Sequence, residues 1–79
     1  MDSIFKMKLE ETQIKFIRVV CRRTEFINGW VLDKHLRVLS KIINKDGDVY
    51  NTEINGYDRI ILSEIRSNWI KYLYHKNNQ

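Results

Sequence analysis

Apolar residues recur along this chain at helical spacing in three stretches, separated by two polar breaks. In the first, from about residue 4 to 23 (Ile4 to Arg23), Leu9, Phe16, Ile17, Val20 and Cys21 share one broad side. Glu11, Lys15, Arg18 and Arg22 fall on a narrow opposite face, and Glu11 to Lys15 is a favourable i, i+4 pair. The β-branched run QIKFIRVVC, residues 13–21, would also suit a strand. Its apolar alternation changes phase between Phe16 and Ile17, so the spacing predicts a helix.

The second stretch, VLDKHLRVLSKIINK at 31–45, is the clearest of the three. Val31, Leu32, His35, Leu36, Val38, Leu39, Ile42 and Ile43 recur in pairs at steps of three and four, the pattern of a core-facing helix. Asp33 near its start and Lys45 at its end suit the helix dipole. The third stretch runs from Tyr57 to about Tyr74, with Ile61, Leu62, Ile65, Trp69, Tyr72 and Leu73 on one face. Asp58 lies early and Lys71, His75 and Lys76 lie late, while the tail KNNQ is expected to fray.

The breaks are less uniform. In TEFINGWV, residues 24–31, Asn28-Gly29 is the turn-like pair expected to reverse the chain. In NKDGDVYNTEING, residues 44–56, Asp46-Gly47 allows two outcomes. One is a hairpin using Val49-Tyr50, Thr52 and Ile54, which would take the last turn of the second helix; the other is a helix stop and an irregular loop. The fold class expected is mainly α: a small three-helix domain, residues 1–79, with a possible short β-hairpin between helices 2 and 3. The alternative is α+β, in which residues 12–22 and 41–54 form a small antiparallel sheet packed on the C-terminal helix.

Composition narrows the function more than the fold. A chain of 79 residues buries only about 60% of its unfolded surface, so most apolar side chains must serve the core. The 43% hydrophobic content argues against disorder, and self-association as a homodimer would help so small a core. The chain has no Pro, no Ala and few Gly, but many Ile, Lys and Asn, as an AT-rich phage or mobile-element gene would encode. The lone Cys21 cannot form an internal disulfide, MDSIFKMKLEE lacks the apolar run of a secretory signal, and no run reaches a membrane span. A cytoplasmic chain with no membrane partner is expected, inside a host cell if phage-encoded.

Catalytic constellations are hard to assemble from these residues. Cys21, His35 and His75 are too dispersed for a metal site, and His35 sits on the apolar side of its helix, where a hydrogen-bonded core-edge histidine is expected. A Cys21–His35 dyad would need a thiol that the helix turns inward. Adjacent Glu10 and Glu11 point apart, Asp46, Asp48 and Glu53 do not complete an EF-hand, and no glycine-rich phosphate loop exists. The reading is of a non-enzymatic protein with no cofactor and no metal.

Binding is what remains. The net charge of +4 favours anionic partners modestly. Lys34, Arg37, Lys41 and Lys45 form a stripe at steps of three, four and four, with Asp33, Ser40 and Asn44 beside it, and Arg18 and Arg22 would extend it if the first helix packs alongside. Such a stripe suits phosphates, and four contacts would give a salt slope of roughly −3.6 on duplex DNA. A helix-turn-helix would have to turn at Asn28-Gly29, placing Trp30 and Lys34 at the leading end of its second helix. A basic stripe is also what any solvated helix face carries. The first expectation is therefore a small nucleic-acid-binding or regulatory factor. The alternative is an adaptor or inhibitor that binds an acidic surface of a host protein, for which Ile60 and Tyr74, apolar residues on the polar side of the last helix, are the candidate contacts.

Overall fold

A computed structural model describes residues 6–78 and shows four helices with a two-stranded antiparallel sheet among them. In chain order these are β1 (Lys6–Lys8), α1 (Glu11–Cys21), α2 (Thr24–Trp30), α3 (Asp33–Ile42), β2 (Glu53–Asn55) and α4 (Gly56–Asn77). The protein is mainly α, with a small sheet. The positions Ile4 and Gln79, assigned above to the first helix and the fraying tail, lie outside the described residues.

α1 is helical as its charge spacing predicts, but it starts later. Residues 6–8 leave the helix to pair with residues 53–55, Lys6 opposite Asn55, Met7 opposite Ile54 and Lys8 opposite Glu53. The Lys8–Glu53 register sets unlike charges across the ladder. A two-stranded ribbon is marginal alone; buried Leu9 and Ile54 anchor this one to the core. The Leu9 N–H also donates to the Thr52 carbonyl at 2.7 Å. At the helix start the Glu10 N–H donates to Gln13 Oε1 at 2.9 Å, satisfying a group that would otherwise lack a partner.

The expected turn at Asn28-Gly29 is not where the chain reverses. Both residues lie in the last turn of α2, and Gly29 has ordinary negative φ. The reversals come at Arg22–Arg23, where the Arg22 and Arg23 N–H groups bond the Val19 and Val20 carbonyls, and at Val31–Leu32 in extended conformation. The reason is tertiary. Phe26 is fully buried, its ring 5.0 Å from that of Trp69 and 5.4 Å from that of Tyr72. Trp30, one turn later, meets Tyr72 at 5.9 Å. Packing two aromatics against α4 outweighs the roughly 1 kcal/mol that glycine costs a helix.

α3 ends at Ile42 instead of residue 45, because Ile43 forms a bridge with Val49 across the Asp46-Gly47 turn. Gly47 adopts φ +87°, and Asn44 Oδ1 accepts from the Asp46 and Asp48 N–H groups at 2.9 Å each. The loop thus keeps a hairpin turn with a single bridge, falling between the two outcomes the sequence allowed. The alternative sheet of residues 12–22 with 41–54 does not form, since 12–21 is helix and the ladder uses β1 and β2.

α4 is longer than predicted at both ends. Asn55 caps it, its Oδ1 accepting from the Asp58 N–H at 2.7 Å. Near its end the His75 ring lies 6.0 Å from Trp30, and Lys76 Nζ sits 5.8 Å over the Tyr72 ring. α3 packs along one side of α4, and α2 across its C-terminal half; α1 leans mainly on α2. The core at this junction comprises Ile17, Val20, Phe26, Val38, Leu39, Ile42, Ile61, Leu62, Ile65 and Tyr72.

Candidate binding surfaces

The basic stripe of α3 is partly spent inside the molecule. Lys34 Nζ lies 3.0 Å from Glu64 Oε1, and Lys41 Nζ lies 3.0 Å from Asp58 Oδ2. The Asp58 side chain is only 5% exposed, so Lys41 supplies the countercharge of a buried carboxylate. Arg37 and Lys45 are exposed and have no ion partner among the described residues. Lys45 is on the turn beyond α3, so only Lys34, Arg37 and Lys41 of the predicted stripe lie on the helix. Ser40 and Asn44 are engaged too: the Ser40 hydroxyl bonds the Arg37 carbonyl, the Tyr50 hydroxyl bonds the Ser40 carbonyl, and Asn44 holds the turn.

Arg18 on α1 and Arg22 just past its end are exposed, but α1 packs on α2 and so does not lie along α3 to widen the stripe. Trp30 belongs to α2 and is packed on Tyr72 and His75, so it does not lead a recognition helix.

His35 takes the core-edge place expected of it. It is 1% exposed; its Nδ1 accepts from the Leu32 N–H at 3.1 Å while its Nε2 meets Glu64 Oε1 at 3.1 Å. With Nδ1 accepting, the ring carries its proton on Nε2 and donates it to the carboxylate. Both nitrogens are therefore occupied. Cys21 is half-buried, and burial pushes its thiol above its ordinary value, the opposite of what an attacking thiolate needs. Among the described residues no three His, Cys, Asp or Glu side chains gather as a metal site, and no helix is long and apolar enough to cross a membrane.

Glu64 is the acceptor shared by both α3 groups. The Lys34 ammonium, then the His35 ring, hold its carboxyl below the ordinary value of about 4.5. Folding thus favours the charged form. Its contribution is complete above about 4.5 and is lost as pH falls through the lowered value. We expect Glu64→Gln to flatten the acid limb of stability, measured as urea midpoints from about pH 6 to 3. Parallel acid limbs would show that the pair does not form in solution.

The outer side of α4 is the other conspicuous surface. Ile60 and Tyr74 are 61% and 72% exposed, as their place on the polar side predicts. Ile70, at 57%, lies on the same strip, because Ile60, Ser63, Ser67, Ile70 and Tyr74 follow steps of three and four. Sequence reasoning missed Ile70, although counting onward from Ile60 finds it. Leu73 was expected in the core face but is 38% exposed, since it is rotated about 80° from Ile65 around the helix.

Between α1 and α4 lies an open groove of about 370 Å³. Phe16, Ile17, Leu62 and Trp69 supply its apolar surface, and Thr12, Gln13, Ser63, Arg66 and Ile70 its other lining. It exists because α1 rests on α2, leaving the α4 flank beside it uncovered.

No family model, curated protein or solved structure matches this chain. Its surfaces have to be judged by their own chemistry.

Proposed function

We propose that this chain is a non-enzymatic protein-binding module, an adaptor or inhibitor, that docks its partner through the outer face of α4. One observation carries this reading: beyond the inward face of Ile61, Ile65 and Tyr72, α4 exposes three large apolar side chains, Ile60, Ile70 and Tyr74, along one strip of its otherwise polar outer side. Large apolar side chains aligned on one exposed strip, with polar residues around them, suit a protein contact. Exposed tyrosine and isoleucine between serines supply anchor side chains at low ordering cost. Ile60→Ser with Tyr74→Ala should weaken capture of a partner by about 30-fold, the effect of losing ~2 kcal/mol at an interface centre. Quantitative affinity capture with wild type and the double variant measures this, with circular dichroism confirming an unchanged fold. Identical partner profiles would remove these residues from the proposal.

A nucleic-acid-binding role is the second reading, favoured by the exposed cations Arg37 and Lys45 on one side and Arg18 and Arg22 on another. With Lys34 and Lys41 already paired, the α3 stripe offers two free contacts, so the salt slope on duplex DNA should be nearer −1.8 than −3.6. Arg37→Glu and Lys45→Glu are the informative variants. Lys41→Glu would set a second carboxylate against buried Asp58 and confuse lost binding with lost stability. Absence of binding at about 50 mM salt would end this reading.

A further inference from the structure

Resting on the protein-binding reading, we infer that the α1–α4 groove is the seat of an acidic amphipathic helix from the partner protein. The groove has the anatomy of such a seat. Its partly exposed aromatic residues Phe16 and Trp69 offer pockets for apolar anchors. The apolar surface continues beyond them at helical steps, to Val19 three residues after Phe16 and to Leu73 three after Ile70. From Leu62 to Leu73 the strip runs about 16 Å at 1.5 Å per residue, the length of three helical turns. Ser63 on the rim leaves room for a close backbone approach.

Charge selects the occupant. Arg66 lines the groove, Arg59 precedes it by seven residues on the same strip of α4, and Arg23 lies two residues past the end of α1, just before α2. Arg66 has no ion partner among the described residues, and Arg59 Nη1 donates to the Met7 sulphur at 3.3 Å. No carboxylate lines the groove. Glu64, the nearest acid on α4, is turned to Lys34 and His35, and Glu11 lies on the opposite strip of α1 with Lys15 and Arg18. A second copy of this chain would bring its own arginines against these. A nucleic acid would set phosphates against an apolar floor. An apolar stripe flanked by Asp and Glu satisfies both floor and rim.

The test uses the full chain and a pair of designed helical peptides of about 14 residues, each with leucines at i, i+3, i+4, i+7 and i+11. One carries glutamates beside the stripe, the other lysines in their place. Backbone amide and indole resonances of the protein are followed during titration. The acidic peptide should shift Phe16, Trp69 and Ile70 and bind at least about tenfold more tightly than the basic one, a 1.4 kcal/mol difference. Arg66→Glu should reverse that preference, and Ile70→Ser, at an exposed site, should weaken both without unfolding the chain. Equal affinities, shifts confined to α3, or no binding of either peptide would overturn the proposal. Should capture of a natural partner still depend on Ile60 and Tyr74 in that case, the protein-binding reading survives and only the groove assignment fails. If duplex DNA shifts Phe16 and Trp69 instead, both fail.

Discussion

Phe26→Ala is expected to destabilise the domain by about 3–5 kcal/mol, the range for emptying a fully buried phenylalanine site. The ring has no exposure and stands edge-on to Trp69, its plane at 90°, with Tyr72 on another side. Its loss would leave a cavity between α2 and α4 and remove two aromatic contacts together. At 0.05–0.15 kcal/mol per residue, a chain of 79 residues has about 4–12 kcal/mol of stability in all. The variant should therefore be largely unfolded at the lower end of that range, and shifted to a far lower urea midpoint at the upper end. Urea titration followed by circular dichroism measures it. A loss below about 1 kcal/mol would mean that residues 24–30 are the turn the sequence suggests and not the α2 helix.

His35→Ala should cost about 2–4 kcal/mol, the next largest effect, from two separable losses. The buried ring leaves a hole beneath the start of α3, and the Leu32 N–H loses the acceptor that closes the first turn. Glu64 loses its His35 donor and retains Lys34, so the α3–α4 link weakens without breaking. His35→Gln distinguishes the contributions. Gln13 already serves α1 in the corresponding way, accepting from the Glu10 N–H at 2.9 Å. A glutamine at 35 should restore the cap, and with it about 1 kcal/mol relative to alanine. Equilibrium unfolding gives the totals, and hydrogen exchange at the Leu32 amide reports the cap alone. Equal protection of that amide in the Ala and Gln variants would show that the histidine acts by packing only.

The two surfaces differ in how far sequence spacing could reveal them. Lys34, Arg37 and Lys41 do share a face of α3, and helical geometry alone predicts it. Whether a lysine on that face is free depends on what α4 presents opposite, and Glu64 and Asp58 lie 30 and 17 residues further along the chain from their partners. No periodicity within α3 carries that information. The α4 strip was partly legible through Ile60 and Tyr74. The groove was not, because it is a gap between helices and depends on α1 resting on α2.

By itself the sequence determined the helical character of α1, α3 and α4, through the spacing of apolar and charged side chains around each axis. It also determined the place of His35 at the core edge and the exposure of Ile60 and Tyr74, which follow from the same periodicity. The tertiary structure decided the rest. It made α2 out of a turn-like segment because burying Phe26 and Trp30 against α4 outweighs local backbone preference. It drew residues 6–8 into a ladder with 53–55, a pairing across some 47 residues that no local pattern encodes. It also divided one basic stripe into two cations paired with α4 and two without an ion partner among the described residues, because an ion pair belongs to both helices that meet and is written in neither alone.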